Sequence, residues 1–168
     1  MKALDLKLPA LLLFAVVIAL QFATIAVYSA DTSNRLQYFL FGAAFLVTIA
    51  MIILQKKLFK EKAGIGKIAG SILISLFYKA CEGLTLFVVF LFAIETSTDI
   101  GSNTVGSLSI AGVLCFLAIF IIVKIITKKD GVIRFTAADA VAVFIGTAPF
   151  IFSLYLILYI LILIWSLA

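Results

Sequence analysis

The sequence predicts an all-α, polytopic integral membrane protein, a bundle of five transmembrane helices in a single domain. Of its 168 residues, 65% are hydrophobic and only 12% are charged, whereas soluble domains have about 45–50% apolar and about 25% charged residues. The apolar residues form five long runs, bounded by charged or turn residues, and a transmembrane helix needs about 20 such residues. The runs cover residues 9–29, 36–59, 65–94, 105–126 and 138–167.

The first run resembles a signal peptide in one respect, because Lys2 and Lys7 precede it. It is longer than the roughly 7–15 apolar residues of a signal-peptide core, and Tyr28-Ser29-Ala30 is a poor cleavage site. We therefore expect a retained helix.

The third and fifth runs are too long for simple spans. Each has about 30 residues, or about 45 Å of helix at 1.5 Å per residue, against a hydrocarbon core of about 30 Å. In the fifth run, Gly146-Thr147-Ala148-Pro149 predicts a bend, because proline lacks a backbone N–H. We expect residues 138–147 to lie partly in the cytoplasmic interface and residues 149–167 to form the main span.

The basic residues are distributed unequally between the loops on the two sides of the predicted bundle. Arg35 is alone on one side and Lys79 lies inside the third run, while the other eleven basic residues share the opposite side. By the positive-inside rule, the N-terminus is cytoplasmic and the C-terminus external, in a multi-pass protein of the cell membrane. The net charge of +5 is thus explained without nucleic acid. The eleven are Lys2, Lys7, Lys56, Lys57, Lys60, Lys62, Lys67, Lys124, Lys128, Lys129 and Arg134.

The sequence lacks the residues that most catalytic mechanisms need. Histidine, the commonest metal ligand, is absent, and Cys81 and Cys115 lie far apart in apolar runs, where we expect free core thiols. The acidic residues of the inner side are dispersed, and Asp139, three residues after Thr136, is typical of a helix start. We predict no metal, no cofactor and no enzymatic activity. The inner acids are Asp5, Glu61, Asp130 and Asp139.

The most informative feature is a pair of charges near the centre of the third run. Lys79 and Glu82 are three residues apart, so they share one helix face. A charge at this depth costs at least about 2.5–3.5 kcal/mol on insertion scales. Two interpretations stay open: a polar site or proton path at the midplane, or an ion pair satisfied by neighbouring helices or by a partner subunit. Polar residues that share this face or this depth are Ser71, Ser75, Tyr78, Thr85, Gln21, Thr48, Cys115 and Ser153.

Small residues recur at helical spacing in the first and fourth runs. Such stripes let helix backbones approach closely, either inside the bundle or against a partner protein. The stripes are Ala15, Ala19 and Ala23, with Ala26 beside them, and Ser107, Ala111 and Cys115, continued by Ala118.

Two further segments carry weaker indications. Gly64 and Gly66, at the start of the third run with Lys62 and Lys67, fit no nucleotide motif but could seat a lipid headgroup phosphate. A topology-setting basic loop is the alternative. Residues 95–103 place oxygen ligands at alternate positions, yet lack the pattern of a calcium loop, so we expect a solvated turn.

These observations lead to three hypotheses of function. The first is a small non-catalytic integral membrane subunit that packs with and stabilises a larger membrane complex, with lipids and other membrane subunits as partners. The second is a transporter or proton/ion-conducting component that uses Lys79 and Glu82. The third is a lipid-binding or lipid-modifying membrane protein.

Overall fold

The computed structural model of the chain describes residues 8–30, 34–128 and 131–167. Within those residues there are seven helices and no strand. Five of them, α1, α2, α4, α5 and α7, are long and apolar enough to cross a membrane, so the predicted all-α class and the number of span-length helices are confirmed. The helices are α1 (Leu8–Ser29), α2 (Asn34–Ile53), α3 (Gln55–Leu58), α4 (Ile65–Thr96), α5 (Ser102–Ile126), α6 (Ala137–Thr147) and α7 (Phe150–Leu167).

The surface of the bundle is apolar, and many large hydrophobic side chains of α4, α5 and α7 are exposed on it. That exterior is compatible with a multi-pass membrane protein. Some residues on which the predictions rest, namely Lys2, Asp5, Lys7, Lys129 and Asp130, lie outside the described residues.

The second apolar run is not one continuous helix. α2 ends at Ile53, and after Leu54 the single turn α3 carries the chain to Leu58. Phe59 is then extended and buried, with its ring 6.1 Å from that of Phe14 on α1. Phe59 and Ala63 of the linker to α4 therefore belong to the core, while Lys60, Lys62 and Gly64 of the same linker are exposed.

The bend predicted in the fifth run is a complete break between α6 and α7. α6 ends at Thr147, and α7 begins at Phe150, directly after Pro149. The expectation that residues 138–147 lie partly in the cytoplasmic interface stays a prediction, but the segment is enclosed by other helices rather than lying on the surface of the bundle. Nine of the eleven residues of α6 are buried, and α1, α2, α4 and α5 all pack against the helix. α6 is the central element of the fold because its side chains are small or apolar and can be enclosed on every side.

The linkers that precede α4 and α6 meet at one end of the bundle, here called the basic end. Lys124 of α5 pairs with Asp139 of α6 at 2.6 Å, and Arg134 lies 3.7 Å from Glu61. α6 starts with a capping box, in which the Thr136 backbone N–H donates to Asp139 Oδ2 at 2.6 Å. This confirms the predicted role of Asp139 as a helix-start residue.

The small-residue stripes do not form the interior of the bundle. Ala15 and Ala19 of α1 are exposed and Ala23 is half-buried, while Ser107, Ala111 and Cys115 of α5 are all exposed. Cys81 is exposed as well, so the expectation of two core thiols is wrong. α1 instead approaches α5 through Gly106, where an added Cβ would collide with the side chain of Ser29.

Candidate functional site

The α6–α7 break creates the polar centre of the fold. A helix end leaves carbonyl groups without helical donors, and Pro149 supplies no N–H. Two side chains from other helices donate to carbonyls of this segment. Gln21 Nε2 of α1 lies 3.2 Å from the Phe144 oxygen, and Lys79 Nζ of α4 lies 2.6 Å from the Ala148 oxygen.

Lys79 also pairs with Glu82 at 2.6 Å, as their spacing predicts. The Lys79 side chain is fully buried, and that of Glu82 is 6% exposed. The ammonium thus lies between a carboxylate and the carbonyl end of α6, where the helix dipole favours a cation. No charge from a partner subunit is needed to satisfy Lys79.

The polar face of α4 continues below this pair toward the basic end. The Ser71 hydroxyl donates to the Ala138 carbonyl at 2.6 Å, and Ser75 donates to the Ala142 carbonyl at 3.4 Å. Tyr78 turns to α5, where its hydroxyl donates to the Gly112 carbonyl. Toward the other end the face stops, because Thr85 is exposed and bonds only to Cys81 of its own helix.

Not all the polar residues predicted at this depth join the site. Thr48 and Ser153 are buried but donate to the Ala44 and Pro149 carbonyls one turn earlier in the chain. Gln21 reaches α6, although with a different carbonyl from the one that Lys79 binds. Cys115 lies on the surface of α5.

A cleft of about 520 Å³ leads from the basic end toward this centre. It lies between α4, α5 and α6, and its inner end is formed by Ser75, Ala142 and Phe116, one helical turn from Lys79. Its walls are mainly apolar. The wall residues are Ile74, Phe116, Ile119, Phe120, Val123, Val132 and Ala142.

The mouth of the cleft is positively charged. Lys67, Lys124, Lys128 and Arg134 line it together with only two acids, Glu61 and Asp139. Lys124 forms an ion pair with Asp139, and its Nζ lies 5.9 Å from the ring centroid of Phe120 and 5.6 Å from that of Phe135. Lys67 and Lys128 have exposed side chains at the opening. An anion that entered the mouth would therefore meet cations, while the hydrocarbon of the same molecule would meet the apolar walls.

Of the residues predicted to contact a lipid headgroup, the structure places one in this cleft. Lys67 lines the mouth, whereas Lys62, Gly64 and Gly66 are exposed and are not part of the lining. Sequence reasoning missed Lys124, Arg134 and Phe120. The signal that could have found Lys124 and Arg134 is the second group of basic residues, which the orientation rule had already placed on the side of Lys67, whereas Phe120 lies within an apolar run and has no such signal.

No metal-binding site is found in the described part of the chain. Residues 8–30, 34–128 and 131–167 contain no group of three His, Cys, Asp or Glu side chains that could hold an ion. Glu95 and Asp99, in the segment considered for a cation, are both exposed.

Comparisons with known proteins identified no relative of this chain. No family model matches the chain, and neither a curated protein nor a solved structure matches it. The cleft and the polar centre are therefore the features from which a function is inferred.

Proposed function

We propose that the chain is a lipid-binding membrane protein that takes an anionic lipid into the cleft between α4, α5 and α6. The observation that carries the proposal is the division of the cleft into a cationic mouth and apolar walls. A lipid has the same division, with a charged headgroup on hydrocarbon chains.

The cleft is open sideways as well as at its mouth. Ile74 of α4 is 70% exposed and Ile119 of α5 is 50% exposed, although both also line the cleft. A lipid can therefore enter from the surrounding bilayer with its chains still in contact with apolar surface. A water-soluble anion would gain nothing from these walls, so we favour a lipid over free phosphate.

The charge at the mouth favours an anionic headgroup. Basic residues near a membrane surface each contribute about 1 kcal/mol of attraction to anionic lipids. Lys67 and Lys128 are the best placed to do this, because Lys124 is already paired with Asp139. The positive-inside rule would put this mouth at the cytoplasmic leaflet, where anionic lipids are found.

The test is binding of phosphatidylglycerol to the purified full chain in mixed micelles, measured by native mass spectrometry with phosphatidylcholine as competitor. We expect preferential retention of phosphatidylglycerol. Lys67→Gln with Lys128→Gln should weaken it roughly 30-fold, since each cation contributes about 1 kcal/mol. Lys62→Gln removes an exposed charge of the same loop outside the cleft and is the matched control.

Ala142→Phe should abolish retention by filling the cleft, without changing a charge. Equal retention of both lipids by the wild type would refute the proposal. So would equal loss in the Lys62 variant and the cleft variants. Displacement of the lipid by inorganic phosphate alone would also contradict it, because it would show that the walls contribute nothing.

A second candidate function is a subunit of a larger membrane complex. It is favoured by the exposure of Ala15 and Ala19 on α1 and of Ser107, Ala111 and Cys115 on α5. Stripes of this kind support close helix pairing, and within the described bundle no helix covers them. We expect them to receive helices of another membrane protein.

Two native cysteines provide a matched pair for testing this candidate. Cys115 lies on the small-residue stripe of α5, whereas Cys81 lies on an exposed face of α4 without such a stripe. A photoreactive maleimide attached to Cys115 in native membranes should yield a discrete protein adduct in a Cys81→Ala variant. The same reagent on Cys81 in a Cys115→Ala variant should not. Adducts of equal yield, or none from Cys115, would contradict a partner at this face.

A further inference from the structure

Two cavities lie between α4 and α5, one toward each end of the bundle. The first is the cleft at the basic end. The second, of about 370 Å³, lies beyond the polar centre and is lined by Gly83, Phe87, Leu108 and Phe150 among other apolar residues. It also reaches the surface, since Phe87 is 57% exposed.

A short closure separates the two cavities. On α4 it consists of Tyr78 and Glu82, and on α5 of Gly112 and Phe116. The Tyr78 hydroxyl donates to the Gly112 carbonyl, and its ring lies 5.0 Å from that of Phe116. Gly112 is required for this approach, because a Cβ there would lie 2.9 Å from Glu82 Oε1. Few contacts other than these would need to change for α4 and α5 to separate along their length.

The closure holds an unused hydrogen-bond acceptor. Glu82 Oε2 binds Lys79, but Oε1 is buried and has no hydrogen-bond partner among the described residues. Leaving such a group unsatisfied costs about 1–3 kcal/mol. An apolar contact between α4 and α5 would avoid this cost, so the arrangement is not explained by stability alone. Glu82 thus presents one free acceptor at the closure, and its partner Lys79 is held against the Ala148 carbonyl.

These groups match the headgroup of a hydroxyl-bearing anionic phospholipid. A headgroup hydroxyl can donate to Glu82 Oε1 at the closure. Lys79 lines neither cavity in the closed bundle, so a phosphate can approach its ammonium only when the closure opens. Both cavities open to the side, so the acyl chains can stay in the bilayer while the headgroup passes between the helices. The charged residues that line the first cavity lie at its mouth, at the basic end.

We infer that the protein moves an anionic phospholipid headgroup through the Tyr78–Gly112 closure, from the basic cleft to the second cavity and so between the two leaflets. This inference rests on the proposed lipid binding in the cleft. It adds an activity, lipid translocation, and assigns the closure as the step that limits it.

The experiment uses the purified full chain in phosphatidylcholine vesicles that contain a trace of fluorescent, tail-labelled phosphatidylglycerol or phosphatidylcholine. Dithionite bleaches probes in the outer leaflet, so bleaching beyond that of protein-free vesicles measures translocation. We expect such bleaching for phosphatidylglycerol and not for phosphatidylcholine. Tyr78→Phe should accelerate it about fivefold, the factor that corresponds to about 1 kcal/mol for one lost hydrogen bond.

Glu82→Gln should slow translocation, because its amide keeps the shape of the carboxylate but replaces one of the two acceptor oxygens with a donor, so that either Lys79 or the headgroup hydroxyl loses its acceptor. Thr85→Val is the matched control on α4 and should behave as the wild type, since Thr85 bonds only within its own helix. Each variant is first checked for a monodisperse peak in detergent and for wild-type binding of phosphatidylglycerol in micelles.

The possible failures are distinct. Retained binding of phosphatidylglycerol without translocation would overturn the inference and leave the proposed function standing, whereas loss of binding in the wild type would overturn both. Equal movement of the two lipids would contradict the role of Glu82 Oε1, because both lipids carry a phosphate and only phosphatidylglycerol carries headgroup hydroxyls. Unchanged rates in both Tyr78→Phe and Glu82→Gln would show that the closure is not the route.

Discussion

Lys79 Nζ lies 2.6 Å from the carbonyl oxygen of Ala148, a residue 69 positions later in the chain. This contact links the centre of α4 to the break between α6 and α7. It explains why a lysine is tolerated at this depth: the helix break presents an unpaired carbonyl, and Glu82 supplies the counter-charge. The break and the ion pair are therefore one structural unit.

The first prediction tests this unit. Lys79→Met should lower the free energy of unfolding by about 3–5 kcal/mol, because it leaves the buried Glu82 carboxylate without its cation. The double variant Lys79→Met with Glu82→Met should lose only about 1–3 kcal/mol, the cost of the unsatisfied Ala148 carbonyl. Unfolding in mixed micelles, titrated with sodium dodecyl sulfate, measures both. A double variant less stable than Lys79→Met alone would contradict the coupling.

The second prediction concerns the packing of α6. A Cβ at Gly146 would lie 2.2 Å from a carbon of the Phe116 ring, so Gly146→Ala forces that ring to move. We expect a loss of about 1–3 kcal/mol, as for other overpacked cores. Gly42 in α2 has no atom within 4 Å of its Cβ position, and Gly42→Ala is the control. That change should stabilise the helix by up to about 1 kcal/mol. Phe116→Leu should rescue Gly146→Ala in the same titration; failure to do so would locate the clash elsewhere.

The third prediction concerns the start of α6. Asp139→Ala removes the side chain that accepts from the Thr136 N–H and that pairs with Lys124. A helix cap contributes about 1 kcal/mol, and the partly exposed ion pair adds at most about 1 kcal/mol. Asp139→Asn should recover part of the cap but not the pair. Thermal unfolding in detergent should therefore rank wild type, Asn and Ala in decreasing order. Asp99→Ala, in an exposed turn, should have no effect, and an equal loss there would show that the assay reports charge alone.

The fourth prediction concerns orientation. Reporter fusions after Lys60 should give a cytoplasmic signal, and fusions after Asp99 an external one, because basic residues are retained on the cytoplasmic side. Alkaline phosphatase and green fluorescent protein report the two sides in complementary ways. The reverse pattern would invert the bundle and place the basic mouth of the cleft at the outer leaflet.

The fold was largely predictable because its strongest signals are local. Apolar runs gave the span-length helices, Pro149 gave the break, and Thr136 with Asp139 gave a helix start. The Lys79–Glu82 pair also followed from spacing, since residues three apart on a helix share a face.

The relations between helices were not predictable in this way. Whether α6 lies on the surface of the bundle or is enclosed by it depends on what the other helices leave uncovered, and no periodicity in eleven residues shows this. The rotation of each helix is equally hidden in an apolar sequence, because lipid and core accept the same side chains. For that reason the sequence left open whether Ala15 packs inside, Cys115 was expected in the core yet lies on the surface, and Thr48 shares the predicted depth of Lys79 without reaching it.

The enclosure of α6 also has a consequence for biosynthesis. With eleven residues, or about 16 Å at 1.5 Å per residue, α6 is too short to cross a hydrocarbon core of about 30 Å by itself. The four helices that surround it, α1, α2, α4 and α5, all precede it in the chain. Until α6 and Ala148 arrive, Lys79 lacks the carbonyl that it binds in the finished bundle. The centre of the protein is thus completed late in synthesis, by a segment that the earlier helices must first make room for.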